Sequence, residues 1–137
     1  MKTSTEIIDL IYQYLEASPL KAELSGGIYP LQRPENSGKE DLVIGTLTLG
    51  EGPVQIGVFN LNLHVPNIKV KIGGKEQSQP DRRRMRVISG ILRDLFSEQF
   101  FEDCSAWITN IAEIKEPSLD EWYVNHRLEI RVHETEN

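Results

Sequence analysis

The sequence predicts an α+β fold: a mostly antiparallel, bent β-sheet with two amphipathic helices packed on one of its faces. Two segments repeat apolar residues every three or four positions, as helices do, and several others alternate apolar and polar residues, as half-buried strands do. The order of these segments is helix, three strands, helix, two strands. Such an order favours antiparallel pairing over the regular strand–helix alternation of a parallel sheet.

The size and composition predict one folded domain over residues 1–137. A chain of 137 residues is close to the commonest domain size, and 39% hydrophobic with 26% charged residues is ordinary for a globular protein. No run approaches the roughly 20 apolar residues that a membrane-spanning helix needs, and the N-terminus lacks the layout of a secretory signal. We therefore expect a cytoplasmic origin and no membrane contact.

The first helix is expected over residues 4–17. Thr3 and Glu6 have the spacing of a capping box, and Ser18 before Pro19 marks the end, because a residue preceding proline is disfavoured in the helical conformation. Between them the apolar positions recur at helical spacing. These positions are Ile7, Leu10, Ile11, Tyr14 and Leu15.

The first three strands follow. Ile28-Tyr29-Pro30 reads as an edge strand, since proline cannot donate to a ladder, and residues 41–49 read as the second. In the third, the apolar parity shifts between Val58 and Phe59, which predicts a β-bulge there. His64 lies on the polar parity of this strand and is expected to be exposed.

Residues 66–79 are predicted to form an extended, flexible arm. Ile68, Val70 and Ile72 alternate with polar residues, and after Gly73 and Gly74 the chain becomes wholly polar. Such a run cannot bury enough apolar surface to offset the entropy of ordering.

The second helix is expected over residues 79–98. Ser78 is the expected cap, with Pro80 at the first helical position and Asp81 in the first turn. Four arginines stand in its opening turns, at the end of the helix where the dipole disfavours cations. The apolar stripe opposite them is Met85, Ile88, Ile91, Leu92, Leu95 and Phe96.

The last two strands are expected over residues 106–114 and 122–133. In the second, Val124, Leu128, Ile130 and Val132 share the apolar face. His126 has the same parity, and no second ligand lies at a compatible spacing, so a buried structural histidine is expected rather than a metal ligand.

The charges are segregated along the chain. Residues 1–65 carry four Lys/Arg and eight Asp/Glu, residues 66–95 carry eight and three, and residues 96–137 carry three and ten. These blocks are either solvated faces or the two halves of a head-to-tail subunit contact. The candidate contact residues in the basic block are Lys69, Lys71, Lys75, Arg82, Arg83 and Arg86.

No catalytic, cofactor or metal site is expected. The chain lacks the GxGxxG, GxxxxGK[ST] and GxSxG patterns of dinucleotide, phosphate and acyl-transfer sites. Cys104 is the single cysteine, and the adjacent Glu102 and Asp103 raise rather than lower a thiol pKa. We expect a protein that is not an enzyme.

The whole-chain order resembles the tail-completion or tail-terminator proteins of long-tailed phages and prophages. The resemblance covers nearly all of the chain and rests on element order and loose patterns. Its parts are the leading helix, Ile28-Tyr29-Pro30, the hairpin ending at Val65-Pro66, the helix opened by Pro80-Asp81-Arg82, and the last strand Trp122-Tyr123-Val124-Asn125-His126-Arg127-Leu128-Glu129-Ile130.

The resemblance implies a structural role in virion assembly. Such proteins form a ring, commonly a hexamer, that caps the finished tail tube and joins it to the head. The implied partners are other copies of the chain, the tail tube and head-neck proteins, first in the cytoplasm of a bacterial host and then in the virion tail. Two alternatives remain: a nucleic-acid-binding accessory protein that uses residues 69–86, and an enzyme of unrecognised type.

Overall fold

The computed structural model describes residues 1–97, 99–101 and 103–133, with the backbone alone for 99–101. The elements in chain order are α1 (Ser4–Glu16), α2 (Leu20–Glu23), β1 (Ile28–Pro30), β2 (Asp41–Leu49), β3 (Val54–Pro66), β4 (Ile68–Ile72), β5 (Lys75–Gln79), α3 (Arg82–Leu95), β6 (Gln99–Phe101), β7 (Cys104–Lys115) and β8 (Glu121–His133).

The strands form a six-stranded sheet in the order β1-β2-β3-β8-β7-β6, and a separate β4-β5 hairpin. Among the strand pairs of the described residues, the edge strand β1 pairs parallel to β2 and the other pairings are antiparallel. The predicted α+β class with a mostly antiparallel sheet is therefore confirmed. The short elements α2, β4, β5 and β6 are additions to the predicted order.

The strands β3 and β8 pair without a register break from Val54↔His133 to Pro66↔Glu121. The predicted bulge in β3 is therefore wrong. The irregularity lies in the partner strand β2, between Thr46 and Thr48. As a result β3 keeps one parity, and Val54 and Ile56 remain 46% and 47% exposed on its outer face.

The core lies between the inner face of this sheet and the helices. Phe59, Leu61 and Leu63 of β3 are fully buried beside the inward residues of β8. The helix α1 buries Ile7, Ile8, Ile11 and Leu15 and contacts β1 and β2. Its capping box at Thr3 and Glu6 is present as predicted.

The helix α3 begins later than predicted. Asp81 is its N-cap, with a side-chain oxygen that accepts from Arg84 N at 3.2 Å. The assignment of Ser78 as the cap and Pro80 as the first helical residue is therefore wrong, because the Asp81 carboxylate accepts from the free backbone N–H at the start of the helix, whereas the Ser78 hydroxyl bonds to Asp120. The stripe of Met85, Ile88 and Leu92 is buried, as its periodicity predicted.

The arm at residues 66–79 is a β-hairpin. Residues Ile68–Ile72 pair with Lys75–Gln79 around Gly73 and Gly74, which adopt φ values of 58° and 80°. The polar run after the glycines is thus a strand and not the irregular chain expected. Positive φ at both turn positions favours glycine and matches the twist of a tight hairpin.

Replacing Leu92 with alanine should lower the free energy of unfolding by about 2–5 kcal/mol, because Leu92 is fully buried between α3 and the sheet. Val87→Ala on the same helix is the matched control, since Val87 is 39% exposed and its loss leaves no cavity. Chemical denaturation of the two variants measures the difference. Equal stabilities would reject the packing of α3 described above.

Candidate assembly interface

The arginines of α3 differ in what they contact. Arg84 is bound within the chain: its Nε and Nη2 donate to the two carboxylate oxygens of Glu40 at 2.6 and 2.9 Å. Its Nη1 and Nη2 also donate to the side chain and backbone carbonyl of Glu23, at 2.8 and 3.0 Å. Arg82, Arg83 and Arg86 are exposed. Of the four arginines in the opening turns of α3, these three are therefore available to a partner, and Arg93 in its last turn is exposed as well.

The Arg84 network ties three parts of the chain together. Hydrogen bonds from Arg84 hold the pKa of the Glu40 carboxyl below its usual value, although burial opposes this. Hydrogen bonds to Glu40 and Glu23 raise the pKa of the guanidinium. A bidentate ion pair of this kind is geometrically specific. It fixes the N-terminal turn of α3 against α2 and the start of β2.

A second polar contact fixes the middle of α3. His126 is fully buried on β8, with Nδ1 at 3.1 Å from the Leu61 carbonyl oxygen and Nε2 at 2.9 Å from Ser89 Oγ. Because a carbonyl only accepts, Nδ1 carries the proton and Nε2 accepts from the serine hydroxyl. The expected buried structural histidine is confirmed. Burial lowers its pKa.

A groove lies between α3 and β7, with a volume of about 640 Å³. Met85, Ile111 and Trp122 contribute apolar surface to it. Arg82, Arg86 and Arg93 line the helix side, while Arg83 points elsewhere. Two of the three arginines predicted at an interface are thus brought to one concave surface, and sequence reasoning missed Arg93, whose spacing from Arg86 is two helical turns.

The hairpin lysines do not form one patch with the arginines. Lys69 and Lys71 share one face of the hairpin, and Lys71 is opposite Glu76. Lys75 is opposite Ile72, so it shares the other, apolar face. Ile68 and Ile72 on that face are 44% and 45% exposed. The basic block of the sequence is therefore divided over at least three surfaces.

The base of the hairpin is held by polar contacts. Asn67 Nδ2 donates to Ser78 Oγ and to Asp120 Oδ1, both at 3.1 Å, and Ser78 Oγ donates to Asp120 Oδ2 at 2.6 Å. These hydrogen bonds lower the pKa of the Asp120 carboxyl. The hairpin is thus anchored at residues 67 and 78 and projects beyond this anchor.

His64 is not exposed as expected. Its Nδ1 is 3.0 Å from Glu121 Oε1, and Arg33 Nη2 donates to the same carboxylate oxygen. Arg33 Nη1 donates to Asp41 Oδ2 at 3.4 Å. Polar parity placed His64 on the outer face, but the loop containing Arg33 covers that end of the sheet. Burial, followed by the positive charge of Arg33, lowers the pKa of His64.

Within the part of the chain that the structure describes, no helix lies on the outer face of the sheet. At its centre Asn125 Nδ2 donates to Asn60 Oδ1 at 3.1 Å and to Asn62 Oδ1 at 2.7 Å. Arg127, Glu129 and Arg131 of β8 lie on the same face. The predicted alternation of β8 is confirmed, and this surface is polar rather than a continuous apolar patch.

Within residues 1–97, 99–101 and 103–133, no group of three or more His, Cys, Asp and Glu side chains is placed to hold a metal ion. Over the same part of the chain, no helix has the length and apolar character to cross a membrane.

No protein-family model matches the sequence, and no curated protein does. The fold, however, is similar to that of a chain in a solved structure of the virion of a native gene transfer agent (GTA) particle. The TM-score is 0.63 at 12% sequence identity, over 93% of this chain and 95% of that chain. The two chains share a fold over almost their whole lengths.

The stability should fall as the pH is lowered from about 6.5 to 5. His126 and His64 have folded-state pKa values below the ordinary 6.5, so the unfolded chain takes up protons that the folded chain does not. Each such group contributes a slope of at most about 1.4 kcal/mol per pH unit. His126→Gln should flatten the dependence seen in thermal melts, whereas His133→Gln, at an exposed position, should not.

Amide exchange should be fastest among internal segments in the hairpin beyond its anchor, at residues 69–77. A two-stranded hairpin without other strands or a helix against it is marginally stable in water. Exchange measured by NMR or mass spectrometry should therefore contrast this segment with β3 and β8. Protection of residues 70–76 equal to that of β3 in the monomer would contradict the prediction.

Proposed function

We propose that the chain is a structural protein of a phage-like virion. More specifically, we propose a tail terminator that forms a ring, caps the tail tube and joins it to the head. The observation that carries the proposal is the shared fold with a chain of a gene transfer agent virion over 93% of this chain. Whole-length similarity supports a common architecture without a common sequence, while function still has to be argued from surfaces.

The surfaces support assembly through protein contacts. The hairpin presents Ile68 and Ile72 on a projecting element, and a two-stranded sheet of this kind has free edges that another chain can pair with. The grooved side of α3 presents arginines, whereas the whole chain has a formal net charge of −6. Opposite surfaces of one chain can steer copies into a repeated contact.

In this proposal the protein acts by shape and contact, with no catalytic step. Copies assemble in the cytoplasm of the bacterial host and remain in the virion tail. The ring, which the family resemblance implies is commonly a hexamer, contacts the last layer of the tail tube on one side and head-neck proteins on the other. The basic residues Arg82, Arg83 and Arg86 act in contacts between protein subunits.

The competing function is nucleic-acid binding through residues 69–86. A positively charged surface that follows a phosphate backbone would place the lysines and arginines along one track, with aromatic side chains for stacking. Lys75 lies on the opposite hairpin face from Lys69 and Lys71, and residues 69–86 contain no aromatic residue. Subunit contacts are therefore the better interpretation of the basic block.

Charge reversal of Arg82, Arg83 and Arg86 to glutamate should prevent capping. Introduced in place of the natural chain in cells that produce the particle, this variant should give tail tubes of uncontrolled length that lack heads, as should deletion of the chain. Electron microscopy of the particles measures both features. The purified variant should also lose self-association, and that of the natural chain should weaken as salt shortens the Debye length from about 10 to 3 Å.

Reversal of Lys69, Lys71 and Lys75 is the matched control for total charge. If normal particles form with the arginine variant, and salt-sensitive DNA binding by the natural chain is lost in it, the nucleic-acid function replaces the capping function. If tubes of normal length attached to heads form without the chain, the capping role is wrong.

A further inference from the structure

The groove between α3 and β7 exposes apolar surface on the sheet face that elsewhere forms the core. Ile111 of β7 is opposite the fully buried His126, yet Ile111 is 41% exposed. Within the described residues, the helices leave this part of β7 uncovered. Met85, Trp122 and Val124 complete the apolar floor. An uncovered floor of this kind, continuous with the core, is typical of a surface that another protein segment covers.

The rim of the groove is positively charged. Arg82, Arg86 and Arg93 recur at intervals of four and seven residues, so they form one row along the helix. Arg93 has a 3.7 Å ion pair with its neighbour Asp94, and both side chains are largely exposed. Glu113 stands on the strand side. The row favours an occupant that brings acidic side chains beside an apolar contact.

Gly90 lies on the same side of α3 and lines the groove. A glycine inside a helix destabilises it relative to alanine. A Cβ added at Gly90 would have no atom within 4 Å other than its chain neighbours and the adjacent backbone of α3, so the packing of the described chain does not require glycine here. The missing side chain leaves room at the centre of the groove.

The opposite end of the sheet carries a complementary feature. Leu31 directly follows the edge strand β1, is 64% exposed, and has a φ of 65°. Its backbone N–H donates to the Ile44 carbonyl oxygen at 2.7 Å, which holds this conformation. A leucine in the left-handed region is uncommon, and such strain concentrates at functional positions. An apolar side chain is thus held outward at this edge.

The helix above that edge is acidic. α1 contacts β1 and β2 and carries Glu6, Asp9 and Glu16, without any lysine or arginine from Ser4 to Glu16. Glu6 also accepts from Thr3 in the capping box, and Glu16 pairs with Lys21 at 3.1 Å, so Asp9 is the acid of this helix with no such contact described. α3 contacts β3, lines the groove together with β7, and carries five arginines and one acid. The helix layer is therefore acidic over β1 and β2 and basic where α3 borders the groove.

We infer that the α3–β7 groove is the docking site for the β1 edge of a second copy of this chain. Leu31 of the second copy contacts the apolar floor near Gly90, and its acidic α1 lies beside the arginine row. The groove and the β1 edge are at opposite ends of one sheet, so the contact joins unlike surfaces and repeats head to tail. The inference deepens the proposed capping function and rests on it for closure into a ring.

The projecting hairpin is a poorer occupant of the same groove. It also offers exposed isoleucines, but it carries Lys69, Lys71 and Lys75 with a single acid, Glu76. Placing these lysines beside Arg82, Arg86 and Arg93 would bring like charges together, which is unfavourable. Charge therefore favours the β1 edge over the hairpin as the occupant of the groove.

Two variants separate docking from folding. Gly90→Leu fills the groove with a residue of high helix propensity, and Leu31→Gly removes the apolar contact while suiting the positive φ. Each should leave the melting temperature of the monomer equal or higher. Each should weaken self-association about tenfold or more in sedimentation equilibrium, as loss of a central contact does. Val87→Ala, outside the groove on α3, should leave self-association unchanged.

Proximity can be measured directly at high protein concentration. A chain with Leu31→Cys mixed with a chain with Gly90→Cys should give a covalent dimer with a short bis-maleimide crosslinker, and neither variant alone should. The native Cys104 is buried and offers no competing surface thiol. Absence of this crosslink, or parental self-association of both Gly90→Leu and Leu31→Gly, overturns the inference.

These outcomes are distinct from failure of the proposed function. If particles lacking the chain have normal capped tails while the crosslink forms, the contact stands and the capping role is wrong. If the chain caps tails and the groove variants assemble normally, the capping role stands and copies meet through another surface.

Discussion

The uninterrupted pairing of β3 with β8 is the constraint on which the other features depend. Thirteen residue pairs in constant register put Phe59, Leu61 and Leu63 on the inner face together with the inward side of β8. Because a strand alternates strictly, the same register leaves the asparagine cluster and Val54 outside. A slip by one residue would exchange these two faces. The inner face then determines where the helices pack, and thereby which end of the sheet is acidic and which is basic.

Polar contacts determine which side of α3 faces solvent. An apolar stripe alone allows a helix to rotate by part of a turn, since several neighbouring residues can share the burial. Two hydrogen bonds restrict this rotation: the Ser89 hydroxyl donates to His126, and His126 in turn donates to the Leu61 carbonyl. Arg84 adds a bidentate link to Glu40 at the start of the helix. Together these contacts fix the rotation of α3 about its axis, so that Arg82, Arg86 and Arg93 line the groove. Of the four arginines that the helix dipole disfavours, Arg84 thus stabilises the fold, and the other three face solvent.

The sequence predicted what local periodicity determines. The class, the stripe of α3, the alternation of β8 and the burial of His126 all follow from spacing within one segment. The bulge was assigned to β3 because Val54, Ile56 and Val58 were assumed to be buried, but the adjacent strand β2 bulges instead and leaves Val54 and Ile56 exposed. His64 was misplaced for a similar reason: its cover comes from Arg33, 31 positions away in the sequence. For the groove, the sequence predicted Arg82 and Arg86 as contact residues but not Arg93 or the apolar floor. No local pattern specifies how far the helices extend over β7.

The asymmetry of the helix layer constrains how copies can meet. A two-fold contact uses the same patch on both copies, and the groove and the β1 edge are too far apart on the sheet to belong to one patch. Such a contact would therefore bring the arginine rows of two copies together or the acidic helices together. Only an arrangement that joins unlike ends pairs α3 of one copy with α1 of the next. Such an arrangement leaves one groove and one β1 edge unpaired at its two ends, unless a constant rotation between copies brings those ends together. In the proposed contact, closure leaves neither surface unpaired, so the charge layout that disfavours a two-fold dimer is compatible with the proposed ring.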